Sequence, residues 1–135
     1  MLNPISVLLV DDHALLRRGL RRTLEDDPEI QVVGEAGDGL EAVQLARKLA
    51  PQVVVMDLAM PGMDGIEATK QIMQHAPETA VLMLSMHSEA RSVRDSFAAG
   101  VLGYVVKRAV DLDLGHAVKE VAMRRRVVEV ADESR

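Results

Sequence analysis

The chain has 135 residues, with 21 acidic and 16 basic side chains, a formal net charge of −5 and no cysteine. That length holds one domain with a proper core. Without cysteine there is no disulfide framework and no thiolate metal site, and the acidic balance argues against a nucleic-acid surface, which needs a basic stripe.

Phe97 and Tyr104 are the only aromatics, which leaves little material for stacking bases or sugars. Eight methionines help to fill the core instead. The N-terminal "MLNPISVLLVDD" lacks a basic n-region, and its apolar run is too short for a signal peptide. No stretch reaches a membrane-spanning length. A soluble, cytoplasmic protein with no membrane partner is the expectation.

"ISVLLV" (5–10) reads as a strand that is apolar on both faces, as a strand covered on both sides is. After "DDH", Leu16, Leu20 and Leu24 recur at helical spacing to about Asp26, and Pro28 ends the run. "IQVVGEA" (30–36) is a second strand, followed by a helix over 38–49 with Ala42, Leu45, Ala46 and Leu49 apolar and Pro51 beyond its end. "QVVVMD" (52–57) is a third strand, and the helix over 64–75 carries Ile66, Thr69, Ile72 and Met73 before Pro77. Both helices open on an aspartate with a glutamate three residues on, Asp38 with Glu41 and Asp64 with Glu67, an arrangement like a capping box.

"AVLMLS" (80–85) and "GYVVK" (103–107) are the last two strands. The helix between them, 88–99, has a thin apolar face of Ala90, Val93, Phe97 and Ala98, and a helix over 111–125 carries Leu114, Ala117, Val118, Val121 and Ala122. The order βαβαβαβαβα predicts an α/β fold: a parallel sheet, right-handed crossovers and helices on both faces. The tail, 124–135, loses the helical period and reads as a linker or a frayed end.

In such a sheet, ligands bind outside the carboxyl ends of the strands. Strand one ends at Asp11 and Asp12, strand three at Asp57, strand four at Ser85 and strand five at Lys107. Taken alone, an aspartate after a strand is more often a helix cap than a ligand, and a lone lysine is more often solvated. Four strand ends carrying such groups together are harder to dismiss. Clustered carboxylates raise one another's pKa values unless a cation sits among them, and a hard cation with oxygen ligands such as Mg²⁺ removes that conflict. "MPGMDG" (60–65) after Asp57 builds a tight turn that would hold the aspartate in place.

With these motifs ("DD", then "D" with "MPGMDG", then "S", then "GYVVK") the chain resembles the response-regulator receiver domain of two-component signalling, over residues 5 to about 122. "VDDHALLRRGL" and "LSMHSEA" are similar to the NarL/FixJ branch. The resemblance implies a flavodoxin-like, doubly wound (βα)5 fold with strand order 2-1-3-4-5. Residues 1–123 would be the receiver, and 124–135 a tail or the start of a linker to an output domain.

It also implies roles. Asp57 would be the phosphoacceptor, and Asp12, Asp57 and the Ala59 backbone carbonyl would ligate Mg²⁺, with Asp11 acting through the metal's water shell. Lys107 would pair with the phosphoryl oxygens, and Ser85 would bond one of them after transfer. Tyr104 would be the switch aromatic, rotating inward as Ser85 moves. The implied partners are a sensor histidine kinase and a second copy on phosphorylation. DNA would be reached through a C-terminal helix-turn-helix domain, not by these residues. In the family the lysine is often followed by proline, whereas Arg108 follows Lys107 here.

Other readings stay open at this point. The chain could act as a stand-alone receiver through protein contacts. A Mg²⁺-dependent aspartyl phosphatase using Asp57 would need an acid two residues on, where Ala59 stands. A flavodoxin-like cofactor binder would need a phosphate loop where the acidic "DDHALLRR" lies. "GEAGDG" (34–39) is a turn with a helix cap rather than a phosphate loop. The four histidines lack metal-ligand spacing, although His87, two past Ser85, holds a position that tunes dephosphorylation in the family. "RRGLRR" (17–22) and "RRR" (124–126) read as solvated faces.

Overall fold

The computed structural model describes residues 3–107 and 113–129. In chain order the elements are β1 (Ile5–Val10), α1 (Ala14–Glu25), β2 (Ile30–Ala36), α2 (Gly39–Leu49), β3 (Val53–Asp57), α3 (Gly65–His75), β4 (Ala80–Ser85), α4 (Ala90–Ala99), β5 (Gly103–Val106), α5 (Leu114–Ala122) and β6 (Val127–Glu129). All strands are parallel, in the order β2-β1-β3-β4-β5-β6. Five of them stand in the expected order, and β6 extends the sheet beyond β5.

Strand side chains alternate between two cores because Cβ directions alternate along a strand. Val7, Leu9, Val53, Val55, Leu82, Leu84 and Val105 face α1 and α5, packing with Leu24, Val118 and Val121. Leu8, Val10, Val54, Met56, Val81, Met83 and Tyr104 face the other way, with Ala42, Ala46, Ala68 and Ile72 of α2 and α3. The central strands are thus buried on both faces, as their unbroken apolar runs require.

The helix starts refine the expected caps. Asp38 and Asp64 each accept from the backbone N–H three residues on, at 2.8 and 2.9 Å. Neither glutamate closes the box in the expected way. Glu41 accepts from the Gly37 N–H at 2.8 Å, one residue before the cap, and Glu67 accepts from Gln71 Nε2 at 3.2 Å. "GEAGDG" is therefore a turn and a cap. The cap of α1 is His13, whose ring accepts from the Leu16 N–H at 3.4 Å, so neither Asp11 nor Asp12 is used for capping.

The tail departs from expectation. Val127–Glu129 pairs with Gly103–Val105, and the Val127 N–H donates to the Leu102 carbonyl at 3.0 Å. The three arginines of "RRR" are exposed, as expected, but lie beyond α5 and each has a partner. Arg124 donates to the Glu78 carbonyl at 3.0 Å, Arg125 pairs with Glu120 at 3.4 Å, and the Arg126 guanidinium lies 4.5 Å from the centre of the Phe97 ring. Helix α5 lies on the α1 face, whereas β3-to-β4 and β4-to-β5, running in the same direction, cross on the other face. The β5–α5–β6 connection is therefore left-handed, against a rule obeyed by about 98% of such units.

The expected start of the last helix at 111 and the peptide state at Lys107–Arg108 fall on residues outside the described set. Among the described residues no helix is long and apolar enough to cross a membrane.

Candidate functional site

The sheet delivers the polar groups to one rim. Asp11 and Asp12 directly follow β1, Asp57 ends β3, Ser85 ends β4 and Lys107 directly follows β5. Parallel strands end at the same side of the sheet, so residues spread from 11 to 107 meet without any sequence proximity.

Asp11 and Asp57 are buried and Asp12 is exposed, and each of the three offers a carboxylate oxygen within 4.8 Å of those of the other two. Lys107 Nζ stands 3.2 Å from Asp11 Oδ2 and 3.2 Å from Asp57 Oδ1. One ammonium against three carboxylates leaves the cluster acidic. Burial pushes the Asp57 carboxyl up to about 6, the nearby Lys107 charge opposes this, and the negative charge on Asp11 adds to the rise. A cluster of hard oxygen donors with an uncompensated negative charge fits a divalent cation such as Mg²⁺.

The loop after β3 approaches the aspartate closely. The Gly65 N–H donates to the Leu58 carbonyl at 2.8 Å, and a Cβ at Gly65 would overlap the Asp57 carbonyl oxygen. Glycine is required there for close backbone approach. Gly62, at φ 77°, supplies the left-handed residue of the turn. Ala59 is exposed in the same loop, two residues beyond Asp57.

Ser85 is buried, and its Oγ accepts from the His87 N–H at 2.9 Å, which leaves its own O–H to donate. Tyr104 is fully buried, and its hydroxyl donates to the His87 carbonyl at 2.7 Å. Its ring is already inward, and burial pushes its pKa up. Ser85 and Tyr104 thus grip the same residue from both sides.

Arg17 and Glu35 also belong to this rim, and linear sequence reasoning passed over both. Arg17 Nε donates to Glu35 Oε1 at 2.8 Å, Arg21 Nη1 donates to Glu35 Oε2 at 2.6 Å, and Arg17 Nη1 donates to the Asp11 backbone carbonyl. Arg17 and Arg21 of "RRGLRR" are half-buried in this network, while Arg18 and Arg22 are exposed as expected. No local pattern links an arginine to a glutamate 18 residues on; the pairing of β1 with β2 creates the contact.

Residues 7–119 match the family model described as "Response regulator receiver domain". The chain is 44% identical over 115 residues to the transcriptional regulatory protein LiaR of Bacillus subtilis, covering 85% of this chain and 54% of LiaR. It is 42% identical over 124 residues to the response regulator UvrY of Escherichia coli K12, covering 92% and 57%. The chain thus spans about half the length of the curated relatives it matches.

Among solved structures, a LuxR-family two-component response regulator from Aurantimonas sp. SI85-9A1 superposes with a TM-score of 0.89 at 39% identity, covering 93% of this chain and 89% of that one. The signal receiver domain of NarL from Mycobacterium tuberculosis gives 0.87 at 33% identity, covering 92% and 100%. The chain belongs to the response-regulator receiver family. Both neighbours agree with the NarL/FixJ-like branch expected from "VDDHALLRRGL".

Proposed function

We propose that this chain is a phosphorylation-activated signalling switch in the cytoplasm, taking a phosphoryl group on Asp57 from a sensor histidine kinase in a Mg²⁺-dependent reaction. The observation that carries this reading is the Asp57 carboxylate, buried at a strand end, 3.2 Å from Lys107 and grouped with Asp11 and Asp12. An Asp57 oxygen forms the new bond to phosphorus as the donor's P–N bond breaks. The electron pair leaves with the donor imidazole, which takes a proton from solvent.

Transfer of this kind passes through a loose transition state, so catalysis is mainly positioning and charge neutralisation. Lys107 moves from its two carboxylates to the phosphoryl oxygens. Asp12, Asp57 and the Ala59 carbonyl would hold Mg²⁺, with Asp11 acting through its water shell. When bound, the ion supplies further neutralisation of the phosphoryl charge. Nothing beyond this self-modification requires the chain to be an enzyme, and Ala59 offers no acid for phosphatase turnover.

After transfer, Ser85 turns its O–H toward a phosphoryl oxygen. The shift of Oγ that this contact requires loads the bond it accepts from the His87 N–H and biases the loop that Tyr104 also holds. The exposed side chains of Leu15, Leu16 and Met86 flank the rim and suit an apolar contact with the kinase. Helix α4, β5 and α5 form the output surface, through which a second copy would pair on phosphorylation. The length of the relatives supports an output domain that binds DNA outside this chain, since LiaR is a transcriptional regulator about twice as long as the matched region.

The test is incubation with Mg²⁺ and a small phosphodonor, followed by intact mass. One phosphate adduct is expected in the parent and in Ser85→Ala, and none in Asp57→Ala. No adduct in the parent overturns the proposal.

A further inference from the structure

Every polar group of Asp11 except its own charge balance is committed. Its N–H donates to the Ala36 carbonyl at 3.1 Å. Its Oδ1 accepts from the His13 N–H at 2.8 Å, its Oδ2 meets Lys107 at 3.2 Å, and its backbone carbonyl accepts from Arg17 Nη1. The next residue, Asp12, is exposed, yet its carboxylate joins the cluster within 4.8 Å. What aims Asp12 is the Asp11–Asp12 peptide, and the side chain that holds that peptide's oxygen is Arg17.

Arg17 is itself held. Its Nε is fixed on Glu35 Oε1 at 2.8 Å, while Arg21 occupies Glu35 Oε2 at 2.6 Å. Hydrogen bonds from Arg21 and then Arg17 keep the Glu35 carboxyl below its ordinary pKa, so the anchor stays charged. Glu35 lies in β2 opposite Leu9, and Ala36 lies opposite Val10, so the anchor sits on the strand that flanks the end of β1. A guanidinium can serve the carboxylate and the carbonyl at once because its donors are set in a rigid plane; an ammonium cannot reproduce that fork.

We infer that Arg17, anchored on Glu35, is a positioning residue for the acidic pocket: it fixes the Asp11–Asp12 peptide so that the Asp12 carboxylate is presented for cation binding. This rests on the Mg²⁺-dependent reading above. Arg17 touches neither the cation nor the phosphoryl group.

Charge alone predicts the opposite sign. A guanidinium beside an acidic cluster opposes cation binding, so its removal would tighten Mg²⁺ if electrostatics dominated. Positioning predicts weakening, and partners that orient metal ligands typically account for about 10- to 100-fold in affinity.

The experiment is calorimetric titration of MgCl₂ into the whole chain, with the melting temperature recorded for each variant. Arg17→Gln and Arg17→Lys are both expected to bind Mg²⁺ about tenfold more weakly than the parent. Arg17→Lys keeps the charge and guards against a variant that fails to fold. Arg21→Gln removes the same charge from Glu35 without touching Asp11, and is expected to bind as the parent does. With a small phosphodonor, the Mg²⁺ concentration for half-maximal rate should rise in the Arg17 variants, while the rate at saturating Mg²⁺ matches the parent.

Equal or tighter Mg²⁺ binding in Arg17→Gln overturns the inference, as does a rate deficit that saturating Mg²⁺ fails to restore. A parent chain that bound no Mg²⁺ would overturn both this inference and the functional reading. A parent that binds while the Arg17 variants bind equally well overturns this inference alone.

Discussion

Lys107 Nζ lies 3.2 Å from Asp11 Oδ2 and 3.2 Å from Asp57 Oδ1, bridging two buried carboxylates at the ends of the adjacent strands β1 and β3. The bridge is incomplete compensation: desolvation still pushes Asp57 up to about 6. In the metal-free protein, Asp57 is expected to titrate near that value by carboxyl carbon NMR, and Lys107→Met is expected to raise it further. A midpoint in Lys107→Met at or below the parent's would contradict the ion pair.

The same shift sets a slope of stability with pH. The folded Asp57 has its pKa raised above the unfolded value, so between 3.8 and about 6 the native state holds a proton that the unfolded state has lost. Stability therefore falls as pH rises through that window, by about 3 kcal/mol if the whole shift is expressed. Denaturant unfolding of Asp57→Asn, compared with the parent in chelator, is expected to gain most of this at pH 7 and little at pH 3. Glu35 runs the other way. Arg21 and Arg17 lower its pKa, so its contribution is present above its unfolded value and is lost as pH falls through the lower folded one. The comparison must therefore be made as a difference between variant and parent at each pH.

Tyr104 and Ser85 both hold His87, through its carbonyl at 2.7 Å and its N–H at 2.9 Å. Tyr104→Phe removes one of these bonds and keeps the buried ring, so a loss of about 1 kcal/mol is expected. Amide exchange should quicken at 86–89 and stay unchanged in β1 and β3. Exchange unaltered at 86–89 would mean that the hydroxyl does not restrain the loop.

Helix α4 is held less firmly than α3. Its buried residues are Ser96 and Ala99, its N-cap Glu89 makes no side-chain cap bond, and the buried Ser96 hydroxyl has no hydrogen-bond partner among the described residues. By contrast, α3 buries four residues and is capped by Asp64. Amide exchange in α4 is expected to be faster than in α3. Equal protection would remove α4 as the mobile part of the output surface.

Gly65→Ala tests the loop that carries the site. Inside a helix alanine is favoured over glycine by about 1 kcal/mol. Here its Cβ would meet the Asp57 carbonyl oxygen and the Leu58 Cα. The variant is expected to be destabilised despite the better propensity, and its phosphodonor reaction should slow at unchanged Mg²⁺. A variant as stable and as reactive as the parent would show that the loop yields without cost.

Much of the fold and of the rim is legible in local patterns. Apolar runs placed β1 and β4 to the residue, because strands covered on both faces are built almost wholly from apolar side chains, and the edge strand β2 was equally legible although Gln31 and Glu35 interrupt it. Asp38 and Asp64 marked helix starts because the cap bond is local, spanning three residues. Asp11, Asp12, Asp57, Ser85 and Lys107 were legible because each sits at a strand end, and parallel strands end on one rim.

Contacts made across elements are set by the assembled sheet. The fork from Arg17 to Glu35 and the Asp11 carbonyl exists because β2 lies beside β1; in the sequence those arginines look like a solvated helix face. The inward Tyr104 depends on the backbone of His87, a partner that no side-chain pattern reveals. Strand β6 is three residues long and gains its ladder only from β5, so a tail that merely loses the helical period carries no local sign of it. Local signals reach only as far as a turn or a cap, and the energies that fix this rim come from residues brought together by the sheet.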